Sequence, residues 1–216
     1  MARMKIAVLV SGRGSNMQAI LDASADSAYP AEVAVVISNI AGAQALERAA
    51  KSGVEAVTIP HKEYPDRESF DARVTEEIES RGCELVVLAG FMRLLSEDFC
   101  EHWRDRLINI HPSLLPSFKG LDVHARMITA GVRFGGCTVH YVRHEMDTGP
   151  IIVQAAVPVH PGDDADKLAG RILEQEHVIY PLAVKWIAEG RVRISGEAVR
   201  VNGAKAPAGA LINFQD

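Results

Sequence analysis

An unbroken apolar run, residues 5–10 (K-I-A-V-L-V), opens the chain, and similar runs recur at 32–38, 56–59 and 85–89. None of them alternates polar with apolar residues. A strand without alternation is one buried on both faces, as in a parallel sheet covered by helices on each side. Helical segments lie between the runs. One begins at 17–23, a second at 44–52 is followed by Gly53, and an amphipathic third at 67–81 is ended by Gly82. Glycine just past a helix end is the usual stop, because it enters the left-handed region without a Cβ penalty. Strands alternating with helices predict an α/β fold with a doubly wound, mostly parallel sheet.

A short helix at 96–102 leads to a fifth strand at 107–111, and a loop at 112–123 leads to a helix at 124–130. The texture then changes. Residues 137–142 and 151–159 read as two strands separated by a turn at 144–150, which predicts an antiparallel C-terminal addition. A long helix over 164–190 follows, no repeat or linker interrupts the chain, and only 204–209 reads as loose. In that long helix Leu168, Ile172, Ile179, Ala183, Trp186 and Ile187 share one arc at about 100° per residue, with Arg171, Glu174, Lys185 and Glu189 opposite. Glu176 falls inside the apolar arc. Burying an unpaired charge costs several kcal/mol, so Glu176 either pairs with an arginine or holds a polar ligand. Pro181 predicts a kink and a shift of register beyond it.

Composition narrows the function classes. The 216 residues are 48% hydrophobic and 24% charged, enough apolar material for one large core. A net charge of −5 without a basic stripe speaks against a nucleic-acid partner. Three cysteines (Cys83, Cys100 and Cys137), odd in number and without C-x-x-C spacing, fit a reducing compartment and neither a disulfide framework nor a zinc site. The first apolar run is too short for a signal peptide and is followed by Arg13, and Arg93 interrupts the run at 85–95 well before a membrane-spanning length. A soluble cytoplasmic protein without a membrane partner is expected.

Three stretches carry candidate chemistry. Asn109 and His111, two apart on the strand at 107–111, point to the same side, and Pro112 ends the ladder beside them. Alone, such a pair is more often a surface Asn and a satisfied core His than a site. The turn at 11–16, S-G-R-G-S-N, joins a strand to a helix and offers backbone N–H groups to an anion. Met17 stands where a dinucleotide motif needs its third glycine, Ser38-Asn39 ends the second strand where an acid would hold a ribose, and no G-K-[ST] follows. A mononucleotide phosphate cradle, with Ser15 and Asn16 adding donors, or a plain turn remains. Asp147, in the turn at 144–150, would orient and charge His111 if it folded back on it. His140 and His144 have no metal-binding geometry on a strand and turn, and no metal is expected.

S-G-R-G-S-N, A-G-F-M-R-L-L-S at 89–96, N-I-H-P-S-L-L-P at 109–116 and D-T-G-P-I-I at 147–152 occur in this order across essentially the whole chain. In order, spacing and total length the chain resembles the phosphoribosylglycinamide formyltransferase family, folate-dependent enzymes of purine biosynthesis. The resemblance implies a Rossmann-like formyltransferase fold in a single domain, 1–216, with a nucleotide-binding half (1–105) and a catalytic and folate-binding half (106–216). It implies that 10-formyltetrahydrofolate is the co-substrate and that its formyl group passes directly to the amine of phosphoribosylglycinamide through a tetrahedral intermediate. It places Asn109, His111 and Asp147 at the reacting centre. Gly14, Ser15 and Asn16 would take the phosphate, and Glu176 the ribose hydroxyls. The folate would lie along Met92, Arg93, Leu94 and Leu95, with Asn109 and the loop Arg143, His144, Glu145, Met146 and Asp147 beside it and Arg67 at its benzoyl-glutamate end. Asp122 stands where several members carry a His. The expected partners are small molecules, and the expected assembly a monomer or homodimer. Two related activities, formyltetrahydrofolate deformylase and methionyl-tRNA formyltransferase, normally add an N-terminal or a C-terminal domain respectively. A nucleotide-binding regulatory module is the alternative from another class.

Overall fold

A computed structural model describes residues 2–205, 208, 209, 211 and 212. Residues 206 and 207 of the stretch expected to be loose lie outside the described residues. The elements in chain order are β1 (Met4–Val10), α1 (Ser15–Ser24), β2 (Ala31–Ser38), α2 (Gln44–Lys51), β3 (Ala56–Thr58), α3 (Arg67–Glu79), β4 (Leu85–Leu88), α4 (Glu97–His102), β5 (Leu107–His111), α5 (Val123–Ala130), β6 (Phe134–Tyr141), β7 (Ile151–Pro158), α6 (Ala165–Ala188), β8 (Val192–Ser195) and β9 (Ala198–Val201). The first seven strands form one sheet in the order β3-β2-β1-β4-β5-β6-β7. Strands β1 to β5 run parallel, while β6 is antiparallel to β5 and β7 to β6.

The unbroken apolar runs have a direct cause in the layers. Ile6, Val8 and Val10 of β1 face a core shared with Met17 and Ile20 of α1 and with Ile172 and Tyr180 of α6. Ala7 and Leu9, the alternate residues, face the opposite core with Phe70, Val74 and Ile78 of α3 and with Trp103. Both sides of the strand are inside, so neither side is polar. Cys83, Cys100 and Cys137 are free and buried.

One expectation is corrected. The buried positions of α6, Leu168, Ile172, Glu176, Ile179, Tyr180, Ala183 and Val184, keep three- and four-residue spacing through Pro181, so the register does not shift there. Proline removes one intrahelical donor, but the packed stripe on both sides of it holds the phase. Beyond α6 the chain adds β8–β9, an antiparallel hairpin for which the sequence reading has no element. Its V-R-I-S and A-V-R-V strands alternate around a two-residue turn whose first position, Gly196, has φ 61°. That is the glycine-first turn matching the twist of a hairpin.

Chain order reverses between β1 and β4, which are neighbours in the sheet although two strands, β2 and β3, come between them in the chain and extend the sheet outward from β1. In open α/β sheets the crevice at the carboxyl ends of strands flanking such a reversal is where ligands bind. The carboxyl ends of β1, β4 and β5 carry the 11–16 turn, the 89–96 segment and the Asn109–His111 pair.

Candidate active site

The floor of the site is the end of β5. His111 is 5% exposed, with its Nδ1 3.4 Å from Asp147 Oδ1 and its Nε2 2.9 Å from the carbonyl oxygen of Phe118. Both ring nitrogens therefore face oxygens that can only accept. The turn between β6 and β7 does fold Asp147 back onto His111. Asp147 holds φ 51°, a conformation Asp tolerates better than most residues, and its Oδ2 accepts the Gly120 N–H at 2.7 Å. One carboxylate thus binds the imidazole and the loop after β5 together.

Asn109 pairs across the β5–β6 ladder with His140, a residue that sequence reasoning set aside. The Asn109 Nδ2 lies 3.4 Å from His140 Nε2, and His140 Nδ1 lies 3.0 Å from Tyr141 O and 3.1 Å from Thr148 O. Burial pushes the His140 imidazole below its ordinary value, partly opposed by those two carbonyls. The signal for His140 is the antiparallel register, which no single strand displays.

Asn109, His111, His140 and Asp147 open into a cleft of about 630 Å3. Met92, Arg93, Leu94, Leu95, Arg143, His144 and Met146 line it too, whereas Arg67 and Glu145 are not among its lining residues. Met92, Leu94, Leu121 and Met146 are exposed at its walls, an apolar rim of the kind that a flat aromatic ligand covers. The Arg93 guanidinium lies 5.0 Å from the centre of the Phe70 ring, and its Nε is buried without a hydrogen-bond partner. Next to Phe70, Asp71 is buried and accepts the Ser96 N–H at 2.6 Å; burial raises its carboxyl above the ordinary range. Arg143 reaches the cleft but commits its Nη2 to Asp105 at 2.8 Å. Asp122 has φ 55°, precedes α5 without a side-chain cap bond and lines the cleft.

The second part of the site is the 11–16 turn. Gly14 is left-handed, φ 73°, and a Cβ there would come within 2.6 Å of the Ala45 Cβ. No side chain caps α1, so the N–H groups of its first turn are open to an anion. Ser11 Oγ donates to Asn39 Oδ1 at 2.6 Å and accepts the Met92 N–H at 2.8 Å, which ties this turn to the wall of the cleft. Asn16 and Glu176 come together: the Asn16 Nδ2 donates to Glu176 Oε2 at 2.7 Å. Glu176 is 5% exposed and its partner is this amide, not an arginine. Burial pushes its carboxyl above the ordinary range, with the Asn16 hydrogen bond opposing. Among the described residues no group of three or more His, Cys, Asp or Glu is arranged to hold a metal, and no helix is long and apolar enough to cross a membrane.

Known proteins supply the context. The phosphoribosylglycinamide formyltransferase of Escherichia coli strain K12 is 44% identical over 204 residues, covering 94% of this chain and 96% of that protein. The trifunctional purine biosynthetic protein adenosine-3 of Drosophila pseudoobscura pseudoobscura is 52% identical over 193 residues, 88% of this chain. The chain spans only 14–20% of the length of that relative and the other trifunctional proteins that head the comparison. The crystal structure of glycinamide ribonucleotide transformylase 1 from Symbiobacterium toebii superposes with a TM-score of 0.90 at 48% identity, covering 92% of this chain and 94% of that one. The model of the formyl transferase family matches residues 4–184, from the first residue of β1 to within α6 and so across every part of the site, and the chain belongs to that family.

Proposed function

We propose that the chain transfers the formyl group of 10-formyltetrahydrofolate to the glycinamide amine of 5′-phosphoribosylglycinamide, a step of purine biosynthesis, by direct attack of the amine. The observation that carries this reading is the buried Asn109–His111–Asp147 set at the floor of an apolar-rimmed cleft, tied through Ser11 to an uncapped helix N-terminus. The names of the full-length relatives support it.

Amine attack on the formyl carbon places negative charge on its oxygen. Asn109 N–H and the His111 Nε2–H, exchanged from the Phe118 carbonyl to the substrate oxygen, are the donors for that charge, and one such donor is typically worth about 10²–10³ in rate. Asp147 orients His111 and, directly or through water, takes the proton from the attacking amine and passes it on to N10. Acid–base help of that kind contributes roughly 10²–10⁴. The phosphate binds at Gly14, Ser15 and Asn16, and Glu176 exchanges part of its bond with Asn16 for the ribose hydroxyls. The folate lies between Met92–Leu95 and 143–147, its acidic tail toward Arg67 and Arg93; Arg143 and Glu145 contribute through their backbones. Residues 1–105 then supply the phosphate turn and one wall of the folate site, and 106–216 the catalytic three, the other folate wall and Glu176, in a cytoplasmic enzyme whose partners are these small molecules.

The test is to follow 10-formyl folate with and without phosphoribosylglycinamide. Rapid loss only with the amine acceptor is expected. Equal loss in water would make the chain a hydrolase of the same cofactor, and binding of both ligands without turnover would make it a regulatory module.

A further inference from the structure

His140 has no part in the reaction as proposed above, yet it is 1% exposed and lies beside Asn109. Two features of the sheet put it there. It is the register partner of Asn109 in an antiparallel pair, where facing side chains are close neighbours. The β6–β7 ladder also slips at this point: Val139 pairs with Val153 but His140 with Ile151, leaving Ile152 extra. Such bulges re-aim side chains near active sites.

The hydrogen-bond inventory then leaves one arrangement. Both Tyr141 O and Thr148 O face His140 Nδ1, and carbonyl oxygens only accept, so the proton is on Nδ1. Burial disfavours a second proton on the ring, which leaves Nε2 with a lone pair. The atom of Asn109 facing that lone pair must be the amide nitrogen, since Oδ1 would oppose one lone pair to another. One Asn109 N–H is thereby taken up, and the amide cannot turn over. The bond to Thr148 O also holds the carbonyl of the residue that follows Asp147.

We infer that His140 is a positioning residue: a buried imidazole, protonated on Nδ1, that fixes which end of the Asn109 amide faces the transferred formyl group. The inference rests on the formyl-transfer reading. A histidine that merely fills the core would have no such directional requirement.

Two measurements test it. In His140→Phe, which keeps the ring and loses the acceptor, kcat is expected to fall about 10–100-fold with KM for both substrates within about twofold. In the Asn109→Ala background the same substitution is expected to change kcat by less than about threefold, because there is no amide left to orient. Unchanged kcat in the single variant, or an equal loss in both backgrounds, overturns the inference. Nitrogen NMR of the wild-type imidazole needs no variant: Nδ1 protonated and Nε2 bare is expected at neutral pH, and an Nε2–H tautomer overturns the inference even if His140→Phe fails to fold. Absence of formyl transfer by the wild-type protein would instead sink the proposed function and leave the tautomer result standing.

Discussion

Asp147 divides its carboxylate between two donors, and that division decides how to test it. One oxygen faces His111 Nδ1 and the other takes the Gly120 N–H. Asparagine tolerates the left-handed backbone at φ 51° and can still accept from Gly120 with its one oxygen. Its NH2 would then face the imidazole, donor against donor. Asp147→Asn is therefore expected to fold normally and bind nucleotide with near-wild-type affinity by calorimetry, while single-turnover transfer falls by roughly 10²–10⁴. Near-normal transfer would remove Asp147 from the chemistry. At this scale the sequence is uneven. Asn109 and His111 are legible because strand parity alone puts them on one side. Asp147 reads only as an acidic turn residue until the family pattern picks it out. His140 is not legible, because its meaning lies in which residue of β5 it faces, and register is a property of two strands and the turn between them.

Among the elements, the β1–α1 turn shows best how backbone geometry makes a binding site. Gly14 is left-handed and is approached by Ala45 of α2, so the turn is tight for reasons of both torsion and packing. Gly14→Ala would add a left-handed penalty of roughly 1–2 kcal/mol and force the Cβ against Ala45. We expect a melting temperature lower by several degrees, at about 2–4 °C per kcal/mol for a chain of this size. KM for the nucleotide should rise while kcat at saturation holds; a variant with unchanged KM would show that the phosphate does not use this turn. The buried strands, α1 to α5 and the antiparallel pair β6–β7 are readable from period and punctuation, because each obeys its local pattern. The hairpin β8–β9 also alternates, but its strands are four residues long and half-exposed, too weak a signal beside the long helix before them. Pro181 misleads in the other direction: a local rule predicts a shift of register, and the packed stripe on both sides of it overrides that.

For the whole molecule, the question is what the site costs the fold. The sheet brings the carboxyl ends of β1, β4 and β5 side by side, and α6 packs across that layer with Glu176 in the apolar stripe. A buried carboxylate held by one amide is a poor core residue, and the direction of its shift says how this appears in solution. Its folded-state value lies above the ordinary 4.5, so the folded protein holds the proton more tightly than the unfolded chain does. Stability from this group is therefore greatest below about pH 4.5, falls as pH rises through the window up to the folded value, and is level above it. Its buried neighbours do not titrate there, since burial pushes Cys137 up to about 12 and Tyr180 well above 10. Glu176→Gln keeps an oxygen for the Asn16 amide and removes the charge. It is expected to melt higher than the wild type at pH 8, with the difference shrinking toward zero as pH falls to 4, and to lose nucleotide affinity at pH 8 as its ribose acceptor weakens. Paired thermal melts across pH 4–8 check the first part. A difference that does not depend on pH would mean that Glu176 carries the same charge in the folded and unfolded protein, and that its place on α6 costs the fold nothing.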